Sequence, residues 1–281
     1  MKIEFTKMHG AGNDYVYVDC TKQELPHPEI ISEYVSHRRF SIGSDGLICV
    51  CKSDVADFKM RMFNADGSEG QMCGNGIRCL AKFAYDNKLT DKTHLEFETM
   101  AGKRIVDLIL EDGQVTGATV DMGVPSSKVK DLPMVYDAEE CINGEFVVGG
   151  KHYRGTAISV GNPHIVLFTK HLPEDIETDG FKIEHSGVFP EKVNVEFVEV
   201  IDRNHLKMRV WERGSGETLA CGTGACATVY AAILENKIDT TCDVELLGGH
   251  LSITYRDGHL FMTGQARTTF TGEVMEENYV R

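Results

Sequence analysis

Two cysteines of this chain, Cys73 and Cys221, occur in the same short pattern, C-G-x-G, about half a chain length apart. Both patterns precede a run of residues with the apolar spacing of a helix. A cysteine at a helix start lies beside unpaired backbone N–H groups and the positive end of the helix dipole, which stabilise the thiolate and lower the thiol pKa. Each loop could therefore supply one sulfur that gives or takes a proton.

Two such sulfurs together predict a specific reaction. A carbon atom held between them could lose a proton to a thiolate on one side and receive a proton from a thiol on the other, which inverts its configuration. Proton transfer of this kind is most efficient when the acid and the base have pKa values near the working pH. The reaction needs no cofactor, so we expect none.

The same loops could bind a carboxylate. Their glycines allow a ligand to approach the backbone closely, and the N–H groups of a helix start attract anions. The chain carries a net charge of −14 and shows no run of basic residues. This negative net charge disfavours non-specific binding to nucleic acid or to an anionic membrane. An anionic substrate must therefore be held by individual groups within the site, such as the N–H groups of a helix start.

Other interpretations of the loops stay open. The cysteines could be small apolar residues that only fill space at two helix starts. Gly222, Gly224 and Ala227 fit the loose G-x-G-x-x-A dinucleotide pattern, but the acidic residue at the expected distance, Asp243, begins a strand pattern instead of ending one. The sequence has no G-x4-G-K-[ST] phosphate loop, and no lysine carries a signature for pyridoxal phosphate.

The nine cysteines form an odd set in a chain too long to need disulfide staples. A reduced, cytoplasmic setting fits them better than a disulfide framework. Their spacings, C-x-C, C-x5-C and C-x4-C, do not match a zinc site, so no metal is expected. The cysteines outside the two loops are assigned to packing or to the surface: Cys20, Cys49, Cys51, Cys79, Cys141, Cys226 and Cys242. The sequence shows neither the apolar core of a secretion signal nor an apolar run long enough to span a membrane.

The cysteine segments belong to a larger internal repeat. They read GSEGQMCGNGIRCLAKFAYDNK and GSGETLACGTGACATVYAAILENK. Each follows a strand-like run, Phe58–Phe63 or Leu206–Trp211, and each continues into a helical pattern. In the first half Ile77, Leu80, Ala81 and Ala84 recur at i, i+3, i+4 and i+7, as on the buried face of a helix.

Strand patterns dominate the remainder of both halves. We predict a hairpin of Ile3–Lys7 with Asp14–Asp19, and a helix over Glu29–Arg39. The sequence thus predicts an α+β protein of two pseudo-symmetric domains, residues 1–122 completed by 268–281, and residues 123–267. Each domain should be a curved, mostly antiparallel, barrel-like sheet wrapped around a central helix, with the active site in the cleft between the domains.

The chain resembles the diaminopimelate epimerase family along nearly its whole length. The matching segments are HGAGNDY (9–15), IGSDGLI (42–48), FNADGSEGQMCGNGIRC (63–79), VGNPHIVLF (160–168), VNVEFV (193–198) and WERGSGETLACGTGACA (211–227). The resemblance implies a cofactor-independent, cytoplasmic, homodimeric isomerase. It would interconvert LL- and meso-2,6-diaminoheptanedioate, for lysine biosynthesis and for the supply of peptidoglycan precursors.

The resemblance also implies roles for individual residues. Cys73 would donate the proton and Cys221 accept it in one direction, with the roles exchanged in the other. The positions matching those that bind the carboxylate at the reacting centre are Gly74, Asn75, Gly222 and Thr223. The positions matching the other substrate contacts are Asn13, Asn64, Asn162, Asn194, Glu212 and Arg213. His164 and Glu212 match positions that tune the cysteine pKa values, and Ser44 stands where other members carry Gln or Ala, so its contact with substrate stays open.

Two alternative functions remain at this point. Proline racemases and hydroxyproline epimerases share the two-cysteine design, although they usually carry C-G-H-G where this chain has Cys73-Gly74-Asn75-Gly76. A substrate with only one amino-acid end would leave Arg213 and the asparagines unused, which argues against such a racemase. The alternative from another class is a non-enzymatic thiol or metal-binding protein built on the cysteine loops.

Overall fold

The structure is a computed structural model, and it describes residues 2–275 of the chain. The described residues group into two units, residues 2–121 with 263–275, and residues 122–262. Residues 276–281 of the predicted C-terminal segment lie outside the described residues, and the predicted domain bounds stay a prediction. No helix within residues 2–275 is long and apolar enough to cross a membrane.

The first unit is a mixed sheet that packs on one long helix. Its strands are β1 (Lys2–Gly10), β2 (Asn13–Cys20), β3 (Gly46–Cys51), β4 (Phe58–Asn64), β5 (Glu69–Gly70), β6 (His94–Thr99), β7 (Gly102–Glu111), β8 (Gln114–Gly123) and β18 (Arg267–Met275), and its helices are α1 (Pro28–Ser36) and α2 (Gly74–Asp86). Strands β2 and β3 pair in parallel, as do β4 and β6. The pairs β1–β2, β3–β4, β4–β5, β6–β7, β7–β8 and β1–β18 are antiparallel.

The second unit repeats this design. Its strands are β9 (Gly144–Val148), β10 (Lys151–Ser159), β11 (Pro163–Thr169), β12 (Asn194–Val200), β13 (His205–Glu212), β14 (Gly216–Thr218), β15 (Thr241–Leu246), β16 (Gly249–Arg256) and β17 (His259–Gln265), and its helices are α3 (Glu177–Glu184) and α4 (Gly222–Leu234), besides a 3-10 turn at Val129–Asp131. Strand β17 runs three residues past the end of the unit. Strands β10 to β16 pair in the same order and directions as β1 to β7, with β11–β12 and β13–β15 parallel. The internal repeat of the sequence is therefore a repeat of topology, and the predicted α+β class is confirmed.

Helices α2 and α4 are the helices predicted to begin just after the two cysteines. The predicted face of α2 is fully buried, with Ile77, Leu80 and Ala81 each 0% exposed. Helix α4 is buried on most of its surface, and its alanines allow the sheet to approach closely. A helix enclosed in this way takes its stability from packing, and its first turn is fixed in place with it.

Three local features differ from the sequence prediction. Helix α1 ends at Ser36, three residues before the predicted end, because His37 adopts an extended backbone. The hairpin of β9 and β10 was not predicted; it turns at Gly149 and Gly150, which both have positive φ. Helix α3 was not predicted either, because a glycine, Gly180, interrupts its pattern.

Gly180 has a packing role in α3. A side chain at this position would place its Cβ 2.6 Å from the ring of Trp211, so only glycine lets the helix lie against the indole. The indole N–H of Trp211 donates a 2.8 Å hydrogen bond to the buried carboxylate of Glu184 at the end of α3. Helix α3 is thereby fixed to strand β13, whose last residue is Glu212.

Candidate active site

Cys73 and Cys221 occupy the same local position in their units, the N-cap of the central helix. Both have extended backbone angles, and each sulfur accepts a hydrogen bond from the third amide of its helix, Gly76 N–H or Gly224 N–H, at 3.3 Å. The sulfur thus takes the place of the oxygen that caps most helices. Such a donor stabilises a thiolate.

The glycine at the third helical position makes room for this arrangement. A Cβ on Gly76 would lie 2.6 Å from Ile48, and one on Gly224 would lie 2.8 Å from a carboxylate oxygen of Glu196. Both distances are well inside van der Waals contact. The second glycine of each C-G-x-G pattern therefore has a steric reason as well as a chemical one.

In the first unit, Cys73 contacts Asn13. The thiol donates to the side-chain oxygen of Asn13 at 3.1 Å, and the Asn13 amide group donates to Asp45 at 2.7 Å. Asn13 is the first residue of β2, directly after a turn in which Ala11 and Gly12 have positive φ. The turn and Asp45 together fix the Asn13 oxygen toward the sulfur.

An ion-pair network holds this corner in place. Asp14 pairs with the buried Lys7 at 2.5 Å and with Arg38 at 2.8 Å, and Arg38 also reaches Asp45 at 2.8 Å. Burial alone would raise the pKa of Asp14, but Arg38 and Lys7 outweigh it and hold that pKa below its usual value. The Asp14 carboxylate is therefore ionised at neutral pH, and its ion pairs hold in place the residue that follows Asn13.

The other predicted residues of this unit are placed differently. Asn75 is 2% exposed, and its side-chain oxygen accepts from the buried Arg78 of the same helix at 3.0 Å. Its backbone N–H and that of Gly74 belong to the first turn of α2, where the helix itself provides no acceptor. Asn64, the last residue of β4, donates to Ser68 at 3.0 Å across a tight turn. Ser44, which the sequence left open, is 2% exposed and lies 3.2 Å from the Ser36 hydroxyl.

In the second unit, Cys221 lies at the end of a chain of polar side chains. Its sulfur is 3.5 Å from the hydroxyl of Thr223. The side-chain amide of Asn162 donates to that hydroxyl at 3.2 Å, and the Asn162 oxygen lies 3.0 Å from Nε2 of His164. The structure thus brings four of the predicted residues of this unit into one hydrogen-bonded series.

His164 is fully buried and pairs with an acidic residue that the sequence analysis missed. Its Nδ1 lies 2.6 Å from Oε1 of Glu196, and both side chains are 0% exposed. Glu196 belongs to the VNVEFV segment, in strand β12. A charged residue directly between two apolar residues, Val195 and Phe197, is the signal that could have identified it, because unpaired buried charges are rare.

Glu212 lies close to Cys221 at the end of β13. Its carboxylate accepts from the Thr218 hydroxyl and is within hydrogen-bonding reach of the Cys221 sulfur. Burial raises the pKa of Glu212 above its usual value, although both hydrogen bonds act in the opposite direction. A carboxyl group of raised pKa next to a thiol can share or take over its proton.

The electrostatic setting of Cys221 corrects one expectation. Burial, together with the negative charges of Glu212 and Glu196, raises the pKa of Cys221 well above its ordinary value. The donors at Thr223 and Gly224 lower it, but they do not outweigh desolvation. The sequence predicted a lowered pKa from the helix start alone. That prediction is wrong for Cys221, because it did not include the burial of the sulfur.

Asn194 and Arg213 are joined to each other. The Asn194 oxygen accepts from the backbone N–H of Arg213 at 2.9 Å, and its amide donates to the carbonyl of Pro163 at 2.8 Å. Asn194 therefore ties together the starts of β11 and β12 and the end of β13. The guanidinium of Arg213 is exposed and donates a long hydrogen bond, 3.5 Å, to the Glu191 carbonyl.

Within residues 2–275, no three or more His, Cys, Asp and Glu side chains are grouped so that they could hold a metal ion. All nine cysteines are free thiols in the structure.

Comparison with known proteins decides the family. The diaminopimelate epimerase family model matches residues 5–128 and 156–269. The diaminopimelate epimerase of Methanococcus maripaludis strain S2 is 50% identical over 275 residues, which are 97% of this chain and 99% of that protein. This chain belongs to the diaminopimelate epimerase family. The family's enzyme from Agathobacter rectalis is 49% identical over 282 residues, covering 97% of this chain and 99% of that one.

Solved structures with the same fold are more distant in sequence. A PhzF-family phenazine biosynthesis protein of Bacillus anthracis matches with a TM-score of 0.70 at 17% identity, covering 98% of this chain and 99% of that chain. A hydroxyproline epimerase from Agrobacterium vitis, with bound trans-4-hydroxy-L-proline, matches with a TM-score of 0.69 at 15% identity, covering 97% and 92%. At such identities the likeness concerns the fold alone, and it agrees with the mixed sheets and central helices of this diaminopimelate epimerase family member.

Proposed function

We propose that this protein is a cofactor-independent diaminopimelate epimerase, which interconverts the LL and meso isomers of 2,6-diaminoheptanedioate. Membership of the family supports the substrate. The observation that carries the chemistry is the pair of cysteine N-caps, Cys73 and Cys221, at equivalent positions of one repeated topology. Two equivalent acid–base groups are what inversion at one carbon requires.

The proposed reaction moves one proton off the α-carbon and another onto it. A thiolate of one cysteine takes the α-proton, so that the C–H bond breaks and an S–H bond forms. The electron pair left on carbon delocalises into the adjacent carboxylate. The thiol of the other cysteine then gives its proton to the opposite face of the carbon. In the reverse direction, the second cysteine, now a thiolate, takes the α-proton, and the first cysteine, now a thiol, gives its proton.

The first turns of α2 and α4 support this chemistry. The N–H groups of Gly74 and Asn75, and of Gly222 and Thr223, are the first two of each helix, for which the helix itself provides no acceptor. Directed at a carboxylate, they would stabilise the charge that develops there as the proton leaves. We therefore propose these four residues as the binding site of the carboxylate at the reacting centre.

The second amino-acid end of the substrate needs its own partners. Arg213 is exposed and can form a bidentate pair with the distal carboxylate. Glu212 can accept from an ammonium group, and Asn13, Asn64, Asn162 and Asn194 are the proposed amide contacts. A mechanism that depends on free thiols also supports a reducing, cytoplasmic setting. We propose a homodimer on the family resemblance alone, and light scattering of the purified protein tests it.

Deuterium exchange at the α-carbon tests the function. In heavy water the wild type should incorporate deuterium into LL- and meso-diaminopimelate and leave proline unlabelled. Cys73→Ala and Cys221→Ala should abolish epimerisation, while Cys51→Ala, at another partly buried cysteine, should retain it. Full activity in either of the first two variants would contradict the mechanism. Labelling of proline at a comparable rate would instead favour a racemase of simpler amino acids.

A further inference from the structure

Glu196 is a carboxylate in a position where the fold would accept an apolar residue. It is 0% exposed, and its neighbours in β12, Val195 and Phe197, are 0% and 3% exposed. Its Oε2 has no hydrogen-bond partner among the described residues. Burying a carboxylate with an unsatisfied oxygen is costly, so a residue kept there has a use that outweighs the cost.

The partner of Glu196 is His164, and the contacts of this ring determine where its protons are. Asn162 donates through its amide nitrogen to Thr223, so its oxygen faces Nε2 of His164 as an acceptor. His164 must therefore carry a proton on Nε2. On the other side of the ring, Nδ1 and Glu196 Oε1 share a second proton across 2.6 Å. The contact with Glu196 therefore fixes the orientation of the ring, with Nδ1 toward Glu196 and the protonated Nε2 toward Asn162.

This orientation is transmitted to Cys221. With Nε2–H donating to the Asn162 oxygen, the Asn162 amide nitrogen must point to Thr223. The Thr223 hydroxyl accepts that bond and keeps its own proton available for the Cys221 sulfur, 3.5 Å away. The donor that stabilises the Cys221 thiolate is therefore directed by a series of contacts that begins at Glu196.

The first unit shows that the fold itself does not need this pair. In the parallel pairing of β2 and β3, Tyr15 stands opposite Gly46, as His164 stands opposite Asn194 in β11 and β12. Two residues further along, Ile48 occupies the position of Glu196. A Cβ on Gly76 would meet Ile48, just as one on Gly224 would meet Glu196. The position next to the first turn of α2 is thus occupied by an apolar residue, Ile48. The equivalent position next to the first turn of α4 is occupied by Glu196, which pairs with His164.

We propose that Glu196 is a positioning residue for Cys221: its carboxylate holds His164 with Nε2–H toward Asn162 and so directs the Thr223 hydroxyl at the Cys221 sulfur. Glu196 does not touch the substrate and acts through the hydrogen bond to Nδ1. The proposal rests on the proposed function, because only an epimerase reaction gives Cys221 a proton to take or release.

Three variants test it. Glu196→Leu fills the space without offering Nδ1 a partner, and it should lower kcat for diaminopimelate by about tenfold to a hundredfold, the loss expected when the Thr223 donor no longer reaches a charged sulfur. Glu196→Gln can donate its amide to Nδ1 and keep a proton on Nε2, so its kcat should stay within about threefold of wild type, a smaller loss than that of the Leu variant. Phe197→Leu, on the opposite face of the same strand, is the packing control and should retain wild-type kcat per folded protein.

A spectroscopic measurement separates positioning from stability. In proton NMR, the imidazole N–H of His164, assigned by its loss in His164→Gln, should be protected from exchange with water in the wild type and in Glu196→Gln. Glu196→Leu should lose that signal while it stays folded by circular dichroism. Wild-type kcat in folded Glu196→Leu, or equal losses in the Leu and Gln variants, would overturn the proposal. If the wild type does not epimerise diaminopimelate, the proposed function fails, but the NMR comparison still decides whether Glu196 orients His164.

Discussion

The thiol of Cys73 donates to the side-chain oxygen of Asn13 at 3.1 Å. At the equivalent helix start, the nearest side-chain hydroxyl to Cys221, that of Thr223, is arranged as a donor. An acceptor beside a sulfur favours the thiol, and a donor favours the thiolate. Two cysteines with the same backbone position therefore have different side-chain partners, since an amide oxygen faces Cys73, whereas a hydroxyl and the Glu212 carboxyl lie beside Cys221.

Replacement of Asn13 by Ala should impair catalysis. The change removes the acceptor of the Cys73 thiol and one proposed amide contact to substrate. A lost hydrogen bond of this kind, at about 1.5–3 kcal/mol when one partner is charged, lowers kcat/KM by about tenfold to a hundredfold. Steady-state kinetics with meso-diaminopimelate measure the effect. Asn204→Ala, at an exposed turn residue, is the control and should leave kcat/KM unchanged; a wild-type value in Asn13→Ala would refute the prediction.

Replacement of Thr223 tests the donor at Cys221. Thr223→Val keeps the shape of the side chain but removes the hydroxyl, so the thiolate loses one donor and its pKa should rise further. The expected loss in kcat is about tenfold to a hundredfold, because the hydroxyl donates to a charged sulfur and such a hydrogen bond is worth about 1.5–3 kcal/mol. Thr223→Ser restores the hydroxyl and should recover most of the rate. Equal losses in the Val and Ser variants would show that the methyl group, and not the hydroxyl, is important.

The raised pKa of Cys221 should make folding stability depend on alkaline pH. The folded protein keeps this thiol protonated above the ordinary thiol pKa of 9.0, whereas the unfolded chain ionises there. The thiol's contribution to stability is therefore complete below that value and is lost as pH rises above it. Between about pH 8 and about pH 10, the wild type should lose about 1.4 kcal/mol more unfolding free energy than Cys221→Ala.

Urea unfolding at several pH values measures this difference. Below about pH 8 both states keep the thiol proton, so the stability difference between wild type and Cys221→Ala should stay constant there, which is the internal control. Parallel curves up to about pH 10 would mean that Cys221 ionises as easily in the folded protein as in the unfolded chain.

Gly224→Ala should damage stability and activity together. Its Cβ would lie 2.8 Å from the Glu196 carboxylate and 3.2 Å from Cβ of Cys221, and neither group has space to retreat in the core. Overpacking of this kind costs about 1–3 kcal/mol. Gly187→Ala is the matched control, since a Cβ there meets nothing within 4 Å and its backbone is not in the left-handed region. Thermal melting compares the two, and an unchanged melting temperature in Gly224→Ala would contradict the structure.

The sequence predicted the structure correctly where the local pattern of residues and the packing in the fold favour the same element. The starts of α2 and α4 followed from the two C-G-x-G patterns and the apolar period after each of them, and Ile77 and Leu80 are buried as predicted. The repeat of C-G-x-G correctly indicated a repeat of topology. These features depend on residues close together in the chain, which is why one sequence reveals them.

Features that depend on partners distant in the chain could not be predicted. Helix α3 forms because Gly180 fits against Trp211, thirty-one positions along the chain, and its own pattern is weak. The raised pKa of Cys221 depends on its burial and on Glu212 and Glu196, which come close to it only in the folded sheet. Glu196 itself was overlooked because its pairing with His164 follows from the register of β11 and β12.

The contact of Trp211 with Gly180 and Glu184 gives the protein a built-in optical probe. The sequence contains one tryptophan, and it lies beside Glu212 and Arg213, at the end of a single strand. Its fluorescence therefore reports on the contact between α3 and β13 in the unit of residues 122–262. Emission during denaturation follows the loss of that contact, and a change in emission on adding diaminopimelate would reveal ligand near Glu212 and Arg213 without any label.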